Sequence, residues 1–254
     1  MSTLFTNPQY HALLSSNGLG DFEALWNAKI AWFEEPNERR GGWSGVGRLL
    51  LKASDGGDIG VFVKKQQNHG RRTFCHPVQG EPTFRREFDN LQFLNKHEFA
   101  APIVVYYGED SVSKRAILVT IALSEYQPLD EFSESHYMNW HEPEKTDYLR
   151  TLAKNIQRFH GLGMVHRALY PKHIFINTER QSQIAVIDLE KARLTNLGWY
   201  RTYFDLAALF RHATWWGKDE QLAFFKAYCL KSPDQELNGW QQWLLKRILK
   251  RATR

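Results

Sequence analysis

Residues 166–176 read His-Arg-Ala-Leu-Tyr-Pro-Lys-His-Ile-Phe-Ile, a polar turn opening into a short β-rich run. Before it, Leu149, Leu152, Ala153, Ile156 and Phe159 recur on one helical face, and the pattern stops near Gly161. After it, a second apolar run, Ile184–Ile187, ends on Asp188, 22 residues beyond His166. A helix, a tight polar turn and two short strands in such close succession constrain the fold strongly. The strands must pack near the helix, and the second must carry a carboxylate out at its end.

The rest of the chain fits around this centre. Arg48–Lys52 and Asp58–Lys65 flank an Asp55-Gly56-Gly57 turn, a hairpin signal. Phe84, Phe88, Leu91 and Leu94 step by four, three and three, predicting a helix over 84–96. Val104–Tyr107 and Arg115–Ile121 read as strands, and the chain from about Asp205 reads as mainly helical. Residues 66–82 are basic and loop-like. The expected class is α+β, with a β-rich half over 1–122 and a helical half over 123–254.

Composition excludes several classes. At 43% apolar and 24% charged, the 254 residues are neither disordered nor collagenous. Cys75 and Cys229 are the only cysteines, too few for a disulfide framework or a four-cysteine zinc site. The first 28 residues hold no Lys or Arg, and the longest strongly apolar run, Ala116–Leu123, is far too short to span a bilayer. A soluble, cytoplasmic protein is expected. Lys plus Arg minus Asp plus Glu is 33 − 28 = +5, and the last nine residues alone supply five positive charges. The excess is therefore local, which argues against nucleic-acid binding.

A strand that presents one Asp after a His-Arg turn is how phosphoryl transfer holds Mg2+. Such a site also needs an amine for the phosphates, and Val61-Phe62-Val63-Lys64-Lys65 offers two. Alternation puts Lys65 with Val61 and Val63 on one face and Lys64 with Phe62 on the other, and periodicity alone does not choose. On the following helix Glu87 falls roughly 40° from Leu91 and roughly 20° from Leu94, inside the apolar stripe, where a carboxylate invites a buried partner.

Together these segments resemble protein kinases. The 166–176 run resembles the catalytic loop H-R-D-L-x-x-x-N, Asp188-Leu189-Glu190 stands where D-F-G would be, and Val61–Lys64 resembles V-A-I-K. Glu34-Glu35-Pro36-Asn37, Arg39-Arg40-Gly41, Ser44-Gly45-Val46, Leu118-Val119-Thr120 and Asp188–Ala192 narrow the resemblance to the bacterial lipopolysaccharide core kinase family, nearest its InaA branch. The resemblance implies a bilobal protein-kinase-like fold, ATP and Mg2+, and a sugar hydroxyl of the lipopolysaccharide inner core, or a lipid-linked precursor, as acceptor. It assigns Lys64 to the phosphates with Glu87 as its partner, and Gly42, Gly45, Gly47, Thr120 and Leu123 to the nucleotide. Asp188 and His173 would hold the metal, with His166, Arg167 and Asp205 as structural supports.

One departure bears on activity. The loop's general base is Ala168 here, and the metal-binding Asn is His173. A methyl group accepts no proton. Two readings follow, a kinase with reduced activity or a pseudokinase that binds nucleotide as a regulator or scaffold in envelope stress. A small-molecule kinase like those for aminoglycosides or choline fits the His-Arg turn less well. Near the end of the chain, Trp240, Trp243, Leu244, Ile248 and Leu249 fall mainly on one helical side, among Lys246, Arg247, Lys250 and Arg251. That helix is expected either to pack on the helical half or to lie on anionic lipid, peripheral to the inner membrane. Arg71, Arg72, Arg85 and Arg86 are further candidates to meet acidic groups.

Overall fold

The computed structural model describes residues 2–33, 35–39, 41–71 and 81–253. Glu34, Arg40, Arg72 and Cys75, and the side chains of Arg39 and Arg71, lie outside the described set. The chain divides into two compact units. One runs up to Asn95 and resumes over Pro102–Ser124; the other takes Lys96–Ala101 and the chain from Glu125 onward.

The first unit contains, in order, β1 (Ser2–Thr6), α1 (Pro8–Ser16), α2 (Phe22–Asn27), β2 (Ala31–Trp32), β3 (Asn37–Arg39), β4 (Gly42–Lys52), β5 (Asp58–Gln67), the paired β6 (Gly70–Arg71) and β7 (Glu81–Pro82), α3 (Thr83–Lys96), β8 (Val104–Asp110) and β9 (Arg115–Ile121). Its antiparallel sheet has the order β1-β8-β9-β5-β4-β2, with β3 also on β4. The β4–β5 hairpin closes through Ala53–Gly57, and the Asp55 carboxylate accepts from the Gly57 N–H at 2.9 Å. Asn and Asp caps start the first two helices: Asn7 accepts from Gln9 N, and Asp21 from Ala24 N.

Strand β5 shows why alternation matters. Val61 and Val63 pack with Leu14, Phe22, Leu25, Leu51, Val105, Ile117 and Val119 in a core on one face of the sheet. The opposite face carries Lys64 and Gln66, and Gln66 Oε1 accepts from Thr83 Oγ1 and Phe84 N at the start of α3. The strand β1 and helices α1 and α2 lie in the first forty residues, where no periodic signal marks them. Their burial comes from docking on the sheet: β1 pairs with β8, and Leu14, Phe22 and Leu25 fill the core.

The second unit contains β10 (Tyr126–Pro128), α4 (Leu129–Ser135), a 3-10 turn at Tyr137–Asn139, α5 (Glu142–Gly161), β11 (Met164–Val165), a 3-10 turn at Pro171–His173, β12 (Ile174–Asn177), β13 (Ile184–Val186), a 3-10 turn at Leu189–Lys191, β14 (Arg193–Leu194), α6 (Gly198–His212), α7 (Lys218–Tyr228) and α8 (Gly239–Ala252). The sheet β10-β12-β13 is antiparallel, and β11 pairs with β14. Helix α5 buries Leu149, Leu152, Ala153, Ile156 and Phe159, the stripe read from the sequence. Among the described residues no helix is long and apolar enough to cross a membrane.

Candidate functional site

In the first unit, Lys64 Nζ lies 2.6 Å from Glu87 Oε1, with side-chain exposures of 21% and 5%. The pair joins β5 to the buried stripe of α3. Lys65, one residue on, points to the other face of the sheet. Its amine donates to the carbonyls of Trp26 (2.8 Å) and Ala28 (2.9 Å), at the C-terminal end of α2. Burial pushes the Lys65 amine down to about 8. The two registers left open by alternation therefore have different partners: Lys64 has the helix carboxylate, and Lys65 caps a helix end.

Lys64 also lines an open concavity with Glu35, Asn37, Ser44, Gly45, Val46 and Phe84. The three candidate glycines lie along β4, and each meets atoms of the chain itself. A Cβ at Gly45 would stand 2.7 Å from the Trp32 ring, and one at Gly47 2.6 Å from the Ala31 carbonyl oxygen. A Cβ at Gly42 would overlap the Asn68 carbonyl. Close approach of neighbouring backbone requires glycine at Gly42 and Gly47, whereas at Gly45 the neighbour is a side-chain ring. Thr120 is buried on β9, paired with Phe62 and Val104, and half-buried Leu123 follows the strand end. Arg85 pairs with Glu109 at 2.8 Å and is already engaged.

In the second unit the centre is Asp205 on α6, fully buried. Its Oδ2 accepts from the His166 N–H at 2.7 Å, its Oδ1 from the Arg167 N–H at 2.7 Å, and its Oδ2 again from His160 Nε2 at 3.0 Å. One carboxylate therefore fixes the backbone of the His-Arg turn, where Arg167 holds the left-handed conformation at φ 65. His160 was not singled out in the sequence; its position at the end of the α5 stripe, six residues before His166, is the only signal there. Its Nδ1 lies 2.8 Å from the Tyr228 hydroxyl. Burial pushes that phenol up to about 12, so it stays protonated and donates.

His166 is fully buried, and desolvation pushes it down, so the ring is neutral. Its Nε2 donates to the Ile187 carbonyl at 2.9 Å, tying the turn to the residue before Asp188. Asp188 is left-handed at φ 59, ψ 56, a conformation that Asp tolerates better than most residues. His173 Nδ1 lies 2.9 Å from the Ala168 carbonyl and must donate to it, because a carbonyl only accepts. Desolvation by burial also pushes His173 down. Its remaining Nε2 lone pair then faces Asp188 Oδ2 at 3.5 Å.

Two acceptors facing each other at that distance repel unless a cation or a proton lies between them. The Asp188 carboxylate fits a hard cation that takes few protein ligands and completes its shell with water and phosphate oxygens, as Mg2+ does, whereas the His173 nitrogen is a softer donor. Among the described residues no group of three or more His, Cys, Asp or Glu is placed to hold a metal. Ala168 is 1% exposed, so the position of a loop carboxylate holds a buried methyl. Glu190 pairs with Lys191 at 3.7 Å.

The sheet lysine held by a helix glutamate is in one unit and the left-handed aspartate beyond the clamped His-Arg turn is in the other, and the fold that carries them is of the protein-kinase-like class. A solved structure, "WaaP in complex with acyl carrier protein", has this architecture: TM-score 0.70 at 23% identity, covering 100% of this chain and 98% of that one. The chain belongs to the lipopolysaccharide kinase (Kdo/WaaP) family, whose model matches residues 23–228. It is similar to Protein InaA of Escherichia coli (strain K12), 26% identical over 176 residues, 68% of this chain and 79% of that protein.

Proposed function

We propose that this chain binds ATP with Mg2+ and transfers the γ-phosphoryl group to a sugar hydroxyl of the lipopolysaccharide inner core or a lipid-linked precursor of it. The observation that carries the reading is the Lys64–Glu87 ion pair. A glutamate buried in a helix stripe holds the one β5 lysine that lines the concavity. In this reading Lys64 neutralises phosphate oxygens, and Glu87 keeps the amine aimed at them. Ser44, Gly45 and Val46 border the phosphates, and the strand end at Thr120 and Leu123 borders the base. Asp188 and His173 hold the metal, which neutralises charge on the transferring phosphoryl group when bound. Asp205, through the His166 and Arg167 amides, holds the turn that positions them. The site works in the cytoplasm, where ATP is available.

Phosphoryl transfer has a loose transition state and depends mostly on positioning and charge stabilisation, so a chain without a loop base retains a slow rate. The second reading, a nucleotide-binding pseudokinase, is favoured by one observation: the buried Ala168 methyl at the base position.

Thermal melting with and without Mg-ATP tests both. At a hundredfold excess over Kd the native state gains about 2.7 kcal/mol, a rise of roughly 5–10 °C for a chain of this size. No shift at millimolar nucleotide, with Lys64→Met melting like the wild type, refutes both readings. Phosphate transfer to purified core oligosaccharide separates them. Product that is lost in Asp188→Asn supports the kinase; no product in the wild type and product in Ala168→Asp supports the pseudokinase.

A further inference from the structure

Helix α8 does not present a single apolar side. Leu244, Leu245 and Ile248 are buried, and the helix packs against α6. At its C-terminal end Arg211 donates to the Arg251 carbonyl at 2.6 Å, and the Arg251 guanidinium lies over the Phe204 ring at 4.5 Å and the Tyr203 ring at 5.3 Å. Arg251 is therefore part of the packed side. Trp240 and Trp243 are not: they are 56% and 45% exposed and stacked on each other, with centroids 4.7 Å apart and planes at 19°. The Arg247 guanidinium sits over the Trp243 ring at 5.4 Å, and Lys246, Arg247 and Lys250 are all exposed. No Asp or Glu occurs anywhere in residues 237–254.

From this arrangement we infer that the outer face of α8 docks the protein on an anionic lipid surface. The two stacked indoles, about half exposed, leave apolar ring surface in water on the side of α8 away from α6. Indole is also the side chain best suited to the headgroup zone, apolar in body and polar at one edge. Three exposed cations on the same short helix, with no acid to offset them, complement the negative charge of an anionic leaflet. The packed side of the helix is separately satisfied by Leu244, Leu245 and Ile248, so docking requires no unfolding of α8. The occupant follows from the charge: a neutral lipid surface would leave the three cations unanswered.

The inference does not depend on phosphoryl transfer; the Mg-ATP melting shift and vesicle binding can each fail alone. Co-sedimentation tests it, with the full-length protein and vesicles of phosphatidylcholine alone or with about one third phosphatidylglycerol. The expected result is binding to the anionic vesicles, weakened by raising the salt, and little binding to the neutral ones. Lys246→Gln, Arg247→Gln and Lys250→Gln together should weaken binding about 100-fold, at ~1 kcal/mol per basic residue near the surface. Trp240→Ser with Trp243→Ser should weaken it about tenfold or more while the cations remain. Both variants should melt like the wild type, because none of these side chains lies in the buried set. Equal binding to neutral and anionic vesicles, no binding to either, or variants that sediment like the wild type would overturn the inference.

Discussion

Asp205→Ala tests the clamp on the His-Arg turn most directly. The carboxylate accepts three hydrogen bonds, from the His166 and Arg167 amides at 2.7 Å and from His160 Nε2 at 3.0 Å. Hydrogen bonds to a charged acceptor are worth about 1.5–3 kcal/mol each, so the three sum to roughly 4–9. Removing the buried charge recovers part of this, because the carboxylate is no longer desolvated. The Arg167 amide, on an exposed residue, regains water. A net loss of about 3–5 kcal/mol remains, which lowers the melting temperature by roughly 10 °C in a protein of this size. Hydrogen exchange gives a local readout. The His166 and Arg167 amides should exchange at least about 100-fold faster in the variant, while amides of β4 and β5 change little. Asp205→Asn keeps the shape and one acceptor and should fall between the two. An Asp205→Ala protein that melts within about 2 °C of the wild type and keeps slow exchange at residues 166 and 167 would refute this account of the loop.

The adjacent lysines give an opposed pair of outcomes. Lys64→Met should abolish the Mg-ATP melting shift, and Lys65→Met should leave it intact, because Lys65 points to the other face of the sheet and holds the Trp26 and Ala28 carbonyls. Burial lowers the folded-state value of Lys65 from 10.5 to about 8, so folding releases a proton between those limits. Stability of the wild type relative to Lys65→Met should therefore rise from pH 8 to pH 10.5 and stay flat below pH 8, as urea melts across that range would record. Gly47→Ala should destabilise by roughly 1–3 kcal/mol, and Gly45→Ala by less. At Gly47 the added Cβ meets the fixed Ala31 backbone, whereas at Gly45 it meets the Trp32 ring, which is 39% exposed and free to shift. Equal melting of the two variants would contradict that ordering.

Local pattern was enough to locate the strands around the Asp55-Gly56-Gly57 turn, the helix that carries Glu87, and the helix, turn and strands that end on Asp188. Each rests on a period of two or 3.6 or on a turn residue, properties that neighbours along the chain fix by themselves. The order of Lys64, Glu87, His166, Asp188 and Asp205 came instead from the resemblance to kinase motifs, since period alone did not choose between Lys64 and Lys65. What the sequence left open depends on contacts between residues far apart in it. Alternation separated Lys64 from Lys65 without saying which face α2 and α3 would take; packing sent one amine to Glu87 and the other to a helix end. The role of His160 became visible only when α5, α6 and α7 brought Asp205 and Tyr228 to its two nitrogens. The apolar side of α8 divided into packed leucines and exposed tryptophans because α6 covers only part of the helix. Periodicity records which residues share a face, but the neighbour that covers that face is chosen by the tertiary structure.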